Sequence, residues 1–256
     1  MKRLLILGAK GGLGLQCVKR TLELGNVTAI GCGRKASEHS ELLALQASLP
    51  SNPADVRLQL MDLDVTDSQS LEDAVGSCDA AIFCCSGNSA ATYVAVNDEA
   101  LGELGRACAA KRVPVVACSS QLVDSKNRWH PLRMLLNTIA WGKADAKFAG
   151  ESKLRSAGAE YVIVRPGRLE DGELNRGSCS LGQNDGVGNY APQNGSTRAD
   201  VAHVLVTVAL HAAMRTADAP LRLTMEMGCE QIPSGISDLV EVRKAILARL
   251  NEMSSD

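Results

Sequence analysis

The chain is poor in aromatic side chains: two tryptophans, three tyrosines and two phenylalanines, 3% of 256 residues. Trp129 and Trp141 therefore stand out, and they are expected either to stack on a flat substrate or to be buried in packing. An excess of charge is also absent. The net charge of -2 gives no reason to expect nucleic acid or an anionic membrane as partner. No apolar run is long enough to span a bilayer. Lys2-Arg3 ahead of Leu4-Leu5-Ile6-Leu7 has the outline of a signal peptide, but the apolar stretch is too short and glycines follow it. A cytoplasmic location is expected, with import after loss of an organellar presequence as the alternative. The nine cysteines contain no C-x-x-C, which argues against zinc-ribbon and thioredoxin-like chemistry, and no metal site is expected. Their odd count fits a reducing compartment. Cys84-Cys85 reads as packing rather than redox chemistry, because strand neighbours point to opposite faces.

What is present is a globular composition, 45% hydrophobic and 22% charged, in a chain long enough for one large domain over residues 1–256. Its most informative stretch is the start. The apolar strand Arg3–Leu7 runs into Gly8-Ala9-Lys10-Gly11-Gly12-Leu13-Gly14, and a helical segment follows. Glycines at 8, 11 and 14, with Gly12 as an extra, allow a tight turn and close backbone approach to a pyrophosphate, while the helix presents free N–H groups to it. The spacing is G-x-x-G-x-x-G rather than the commoner G-x-G-x-x-G.

Apolar runs predict further strands at Val27–Cys32, Val56–Leu60, Ala80–Cys85, Val113–Cys118, Tyr161–Val164 and Leu221–Met225. Helices are predicted over Leu13–Leu24, Glu38–Leu49, Ser68–Val75, Asn97–Ala110, Ala144–Ala157 and Ala199–Ala213. This alternation predicts an α/β fold: a Rossmann-like, doubly wound parallel sheet of about seven strands with helices on both faces. Insertions at about 121–137 and 167–196 fall at the carboxyl ends of strands and are expected to face the substrate, together with a small C-terminal region, 219–256. There, an amphipathic helix from about Ser237 to Glu252 places Leu239, Val242, Ile246 and Leu250 on one face, to pack on the domain or to form a dimer contact. Monomer and homodimer both remain open.

Several motifs in order carry a family resemblance: the glycine loop; Asp62-Leu63-Asp64-Val65-Thr66; Ile82-Phe83-Cys84-Cys85-Ser86-Gly87; Ala117-Cys118-Ser119-Ser120; Glu151, then the run from Ser156 to Arg165-Pro166-Gly167; and Thr197-Arg198-Ala199-Asp200-Val201-Ala202. From Met1 to about Ala213 the chain resembles an atypical short-chain dehydrogenase/reductase of the NmrA-like, NAD(P)-binding group. That group includes biliverdin reductase B-like proteins and a chloroplast-translocon component. The resemblance implies a dinucleotide held by Gly8, Gly11, Gly12, Leu13 and Gly14. Asp64 and Val65 would flank the adenine, with Asp62 as the competing carboxylate. Cys85, Ser86 and Gly87 would lie near ribose and pyrophosphate, and Pro166 and Gly167 beside the nicotinamide. Strand two ends in Gly31-Cys32-Gly33-Arg34-Lys35 without an acid for a ribose hydroxyl, so Arg34 and Lys35, with Lys10 in reach, favour a 2′-phosphate and hence NADP.

The same resemblance implies a Ser–Tyr–Lys catalytic set. Counting back from Gly158, Lys147 takes the lysine position, where it would also hold the cofactor ribose. The tyrosine position four residues earlier is Lys143. Ser119 and Ser120 are candidates to hydrogen-bond a substrate carbonyl. Tyr161 is expected in the core, Tyr93 ahead of the fourth crossover helix and Tyr190 in the long loop. Three activities stay open: an NADPH-dependent reductase of a conjugated or carbonyl small molecule, its proton drawn from solvent, Lys143 or a loop residue; a non-catalytic NADP(H) sensor or assembly factor; and an isomerase or epimerase.

Overall fold

The computed structural model describes residues 1–50, 56–172, 179–183, 195–215, 220–229 and 239–253. Strand β1 (Lys2–Leu7) is the centre of the sheet, and Leu4 to Leu7 are fully buried. Successive side chains go to opposite faces: Leu4 and Ile6 enter one apolar layer, Leu5 and Leu7 the other. That is why the sequence shows a continuous apolar run there rather than alternation.

On one side β1 pairs with β2 (Val27–Gly33), which pairs with β3 (Leu58–Asp62). On the other lie β4 (Ala80–Phe83), β5 (Val115–Cys118) and β6 (Tyr161–Pro166), all parallel. Beyond β6 comes the parallel β10 (Arg222–Cys229), and the antiparallel β8 (Cys179–Gly182) closes the edge. The order β3-β2-β1-β4-β5-β6-β10-β8 reverses direction at β1. In such a sheet the crevice at the carboxyl ends of β1 and β4 is where ligands bind. Two short strands, β7 (Leu169–Glu170) and β9 (Ser196–Thr197), pair separately.

Helices α1 (Gly12–Glu23), α8 (Arg198–Met214) and α9 (Leu239–Glu252) contribute to the layer on the Leu4 face. Helices α3 (Ser68–Val75), α5 (Leu101–Lys111) and α7 (Lys143–Ser156) contribute to the other, and α2 (Ser40–Ala47) follows β2. The expected doubly wound sheet is thus present. Asp67 caps α3 by accepting from the backbone N–H groups of Gln69 and Ser70. Thr197 and Asp200 form a reciprocal capping box on α8. Helix α8 is buried nearly all round, between the sheet and its helical neighbours. Ile246 and Leu250 of α9 join that layer; the side chains of Leu239 and Val242 lie outside the described residues.

Three features depart from expectation. A short helix, α4 (Ala90–Thr92), and a π-helical stretch, Tyr93–Ala100, precede α5, so helical structure begins seven residues before the predicted start at Asn97 and is π-helical over the first four predicted residues. The insertion after β5 holds a helix of its own, α6 (Pro131–Ile139). Strand β3 begins two residues later than the apolar run suggests. Most of the insertion at 167–196, including Tyr190, lies outside the described residues.

The buried interface of α1 with α8 contains one polar contact with a pH consequence. Arg20 Nε donates to His203 Nδ1 at 2.8 Å, and His203 is 4% exposed. Burial, then the charges of Arg20 and Arg243, lower the imidazole pKa from 6.5 to about 4. Below the ordinary histidine pKa the unfolded chain therefore takes up this proton first. The stability contributed by neutral His203 is complete above 6.5 and lost as pH falls through about 4. Urea unfolding at about pH 7 and about pH 4.5 is expected to show a loss of about 2 kcal/mol in the native chain that is missing in His203→Gln, whose amide oxygen still accepts from Arg20.

Candidate functional site

Two adjoining cavities open at the carboxyl ends of the central strands. The first, about 590 Å³, is floored by the glycine loop and walled by the ends of β2, β3 and β4. The second, about 390 Å³, lies over β5 and β6 and under α6 and α7. They share Leu13, Cys84, Cys85 and Ser86, so together they form one trough.

The glycine loop is built by backbone constraints. Gly8 has φ +87, and its N–H and that of Ala9 both donate to Cys32 O, at 3.0 and 2.9 Å. A Cβ on Gly8 would lie 3.0 Å from Cys85 Sγ. At Gly14 a Cβ would sit 2.1 Å from Gly8 O, so this third glycine sets how closely α1 packs on the turn; it does not line the cavity. Gly11, Gly12 and Leu13 do line it. No side chain caps the N-terminus of α1 and its first turn has no acid, so its N–H groups and positive dipole end face the cavity uncompensated.

At the end of β2, Lys10 Nζ donates to Arg34 O at 2.6 Å, and Arg34 Nε lies 4.0 Å from Asp64 Oδ2. Lys10, Arg34, Asp64 and Val65 line the first cavity. Lys35 does not: it takes a left-handed backbone conformation and pairs with Glu38 at 3.4 Å, well exposed. The two carboxylates also separate. Asp62 accepts from the backbone and hydroxyl of Ser37 at 2.8 and 2.6 Å, outside the cavity. Asp64 accepts from Thr66 N–H and Oγ1, which, with Arg34, holds its pKa below the ordinary value. Ser86 and Gly87 line the wall, and Gly87 N–H donates to the buried Asn97 Oδ1 at 3.0 Å. Sequence reading missed Asn97. Its signal is an amide in a run of small and apolar residues ahead of α5, where the π-helical turn aims it at the end of β4.

The second cavity brings together Ser119, Ser120, Lys147, Pro166 and Gly167. Ser119 Oγ is buried and has no hydrogen-bond partner among the described residues. Lys147 Nζ donates to the carbonyl oxygens of Ser119 and Cys118 at 3.2 and 3.4 Å. Lys143, one turn earlier, also lines the cavity, with its ammonium 5.5 Å from the centroid of the Tyr93 ring. Burial first, then the charge of Lys147, lowers the Lys143 pKa. Three cations, Arg133, Lys143 and Lys147, line this cavity, and no carboxylate does among the described residues. Tyr161 is buried in β6, as expected. Trp129 and Trp141 are not buried, being 75% and 77% exposed.

Burial keeps the thiols of the trough in their protonated form. Burial pushes Cys85 up and Cys118 up to about 12; Cys84 is raised by its contact with Cys17, 3.7 Å between sulfurs, and by burial.

Beneath the second cavity, Arg165 holds the strand end in place. Its Nε and Nη2 donate to the two oxygens of Glu151 at 3.0 and 2.6 Å, and Nη1 lies 3.3 Å from Asp124 and 3.6 Å from Glu226. Arg165 and Glu151 are buried. Burial opposes the guanidinium charge, but Glu151, Asp124 and Glu226 outweigh it and hold Arg165 protonated.

A family model described as NAD(P)H-binding matches residues 8–212. Among curated proteins none matches the chain. Solved structures share the fold at low identity. A Bacillus halodurans protein assigned as an NAD-dependent epimerase/dehydratase is 17% identical, with TM-score 0.69 over 96% of this chain and 100% of that one. ChuY, an anaerobillin reductase from Escherichia coli O157:H7, is 18% identical, with TM-score 0.63 over 91% and 100%. A short-chain dehydrogenase/reductase from Veillonella parvula in complex with NADP is 16% identical, with TM-score 0.62 over 93% and 97%.

Removing one partner of the buried cluster is expected to cost more than removing two. Arg165→Leu takes from buried Glu151 its bidentate partner, leaving it only the ion pair with Arg155, and should lower unfolding stability by about 3–5 kcal/mol. The double variant Arg165→Leu/Glu151→Leu should recover part of that loss in urea titrations; a double variant as unstable as the sum of the singles would show the pair is not coupled.

Proposed function

Because the chain belongs to the NAD(P)H-binding family, we propose that it is an NADP(H)-dependent oxidoreductase acting on a conjugated or carbonyl small molecule. The observation that carries this reading is the continuous trough. The glycine loop of its first half would hold a dinucleotide, and the adjoining second half, with a largely apolar lining that includes two lysines, would receive a substrate.

The residues present fit such a group. The uncapped α1 N-terminus suits a pyrophosphate, and Gly8, Gly11 and Gly12 line the cavity floor without side chains. Asp64 suits the adenine amine. Arg34 and Lys10, with no acid at the end of β2, suit a 2′-phosphate. Lys147 would donate to the ribose hydroxyls, and Pro166 and Gly167, which line the same cavity, would flank the nicotinamide. When bound, the cofactor supplies a hydride from the nicotinamide ring.

The chain supplies the rest. Ser119, its hydroxyl otherwise without a partner, hydrogen-bonds the substrate oxygen. Ser120 lines the same wall. Lys143 stands one helical turn from Lys147, where the resemblance calls for a tyrosine. Its lowered pKa makes the ammonium a better proton donor than an exposed lysine, and it protonates the substrate atom on which charge develops. Within the described residues the second cavity is open rather than filled by the chain's own side chains, which favours an enzyme over a sensor.

Calorimetric titration is expected to give tighter binding of NADPH than of NADH. Arg34→Ala should remove about 1.5–3 kcal/mol of that preference while leaving NADH nearly unchanged. Equal affinities in the native chain would overturn the choice of cofactor.

Turnover is tested by loss of NADPH absorbance with quinones, conjugated ketones and flavins. Tight NADPH binding with no oxidation across that panel would favour the sensor reading. Where turnover is found, Lys143→Met should lower kcat by about 10²–10⁴-fold. The rate should decline as pH rises through the Lys143 pKa, below the usual lysine value, because only the protonated form donates.

A further inference from the structure

Helix α6 is mounted the wrong way round for an amphipathic helix. Among its described side chains, Arg133 and Asn137 tie it to the rest of the chain through polar contacts. Arg133, 5% exposed, donates to Asp145 at 2.7 Å and to the carbonyl of Asp124. Asn137 donates to Asp145 at 2.8 Å and accepts from Ala144 N–H at 3.1 Å. Its outward face is apolar: Leu135 and Ile139, one turn apart, are 57% and 65% exposed, beside Met134 at 48%. The turn that follows sends Trp141 out at 77% exposure through a left-handed backbone, φ +47, uncommon for a bulky residue. Half of the large hydrophobic side chains exposed among the described residues fall between positions 129 and 141. A patch of this kind, fixed by polar clamps, points to a ligand.

Continuity with the trough identifies that ligand. Ile139 is both exposed and part of the wall of the second cavity, which half-buried Ala140, next to Trp141, also lines. The apolar surface therefore runs out of the cavity and onto α6 without a break. A cavity of about 390 Å³ is at the small end for an enclosed organic ligand. We propose that the substrate is an amphiphile: a reducible conjugated or carbonyl head sits by Lys143 and Lys147, and an apolar chain leaves the cavity over Ile139 and lies along Leu135 and Trp141. This rests on the oxidoreductase reading above.

The chain's two tryptophans, Trp129 and Trp141, both flank α6, so intrinsic fluorescence reports on this surface. The probes are 2,3-dimethoxy-5-methyl-1,4-benzoquinone and the same quinone bearing a decyl chain, titrated into protein saturated with NADP⁺. The decyl compound is expected to bind at least about tenfold more tightly, the gain from burying two or three methylenes, and to quench the tryptophans. Leu135→Ser should abolish this advantage and leave NADPH affinity and binding of the headgroup quinone unchanged. Equal binding of the two quinones, or binding of neither, overturns the proposal. So does a tryptophan blue shift with phosphatidylcholine vesicles alone, which assigns the face to a bilayer. Sedimentation showing self-association that Leu135→Ser abolishes overturns it too, by assigning the face to a second copy. The oxidoreductase reading fails separately: a chain advantage in binding without NADPH oxidation by the decyl quinone refutes the activity and leaves the surface assignment standing.

Discussion

The arrangement of the site depends on one buried guanidinium. Arg165 stands at the end of β6, immediately before Pro166 and Gly167, and is held by Glu151, Asp124 and Glu226. These partners come from α7, from the loop after β5 and from β10. Glu151 lies one turn beyond Lys147 on α7, so the bidentate pair fixes that helix, and with it both lysines, against the strand end. Arg155 extends the cluster from Glu151 to Thr224 on β10. Such a cluster contributes uncertain net stability against an apolar core of the same shape, but each member is costly to orphan. That asymmetry favours one alignment of four chain segments over near alternatives.

The glycine-loop half of the trough obeys a steric constraint instead. Gly8 and Gly14 bring the first turn and α1 so close that neither tolerates a Cβ, and an uncapped helix end is left facing the cavity. Its electrostatics run in one direction. Helix dipole, Lys10 and Arg34 are positive, and the nearest carboxylate, Asp64, is held ionised by Thr66 and Arg34. The second half keeps positive charge in an apolar lining, and its thiols stay protonated because burial disfavours the thiolate. Protonated thiols do not suit covalent catalysis by cysteine, whereas a half-buried lysine of lowered pKa is suited to exchange a proton or to act as a nucleophile.

Much of this was legible in the sequence. The unbroken apolar runs of β1, β2 and β4 report strands covered on both faces, and their alternation with helices fixed the parallel order. That the glycine loop, Arg34, Asp64 and the serines after β5 line the cavities was readable because each follows a strand at its carboxyl end. Lys35 was misleading, since adjacent cations look alike in sequence while the left-handed backbone at that position turns one toward Glu38. The choice between Asp62 and Asp64 was equally closed to sequence, because it depends on which carboxylate Ser37 captures.

The sequence alone determined the layers, the parallel doubly wound sheet and the glycine turn after β1. These follow from short-range rules: side-chain periodicity, glycine sterics and the right-handed crossover between parallel strands. Tertiary structure decided what no local rule encodes. It put Asn97 against Gly87 through a π-helical turn, gathered Arg165, Glu151, Asp124 and Glu226 from distant segments, and buried Lys143 beside Lys147. It also turned the apolar face of α6 outward. A helical pattern defines which residues share a face, but only contacts from elsewhere in the chain, here Asp145 and the Asp124 carbonyl on Arg133, decide which face meets solvent.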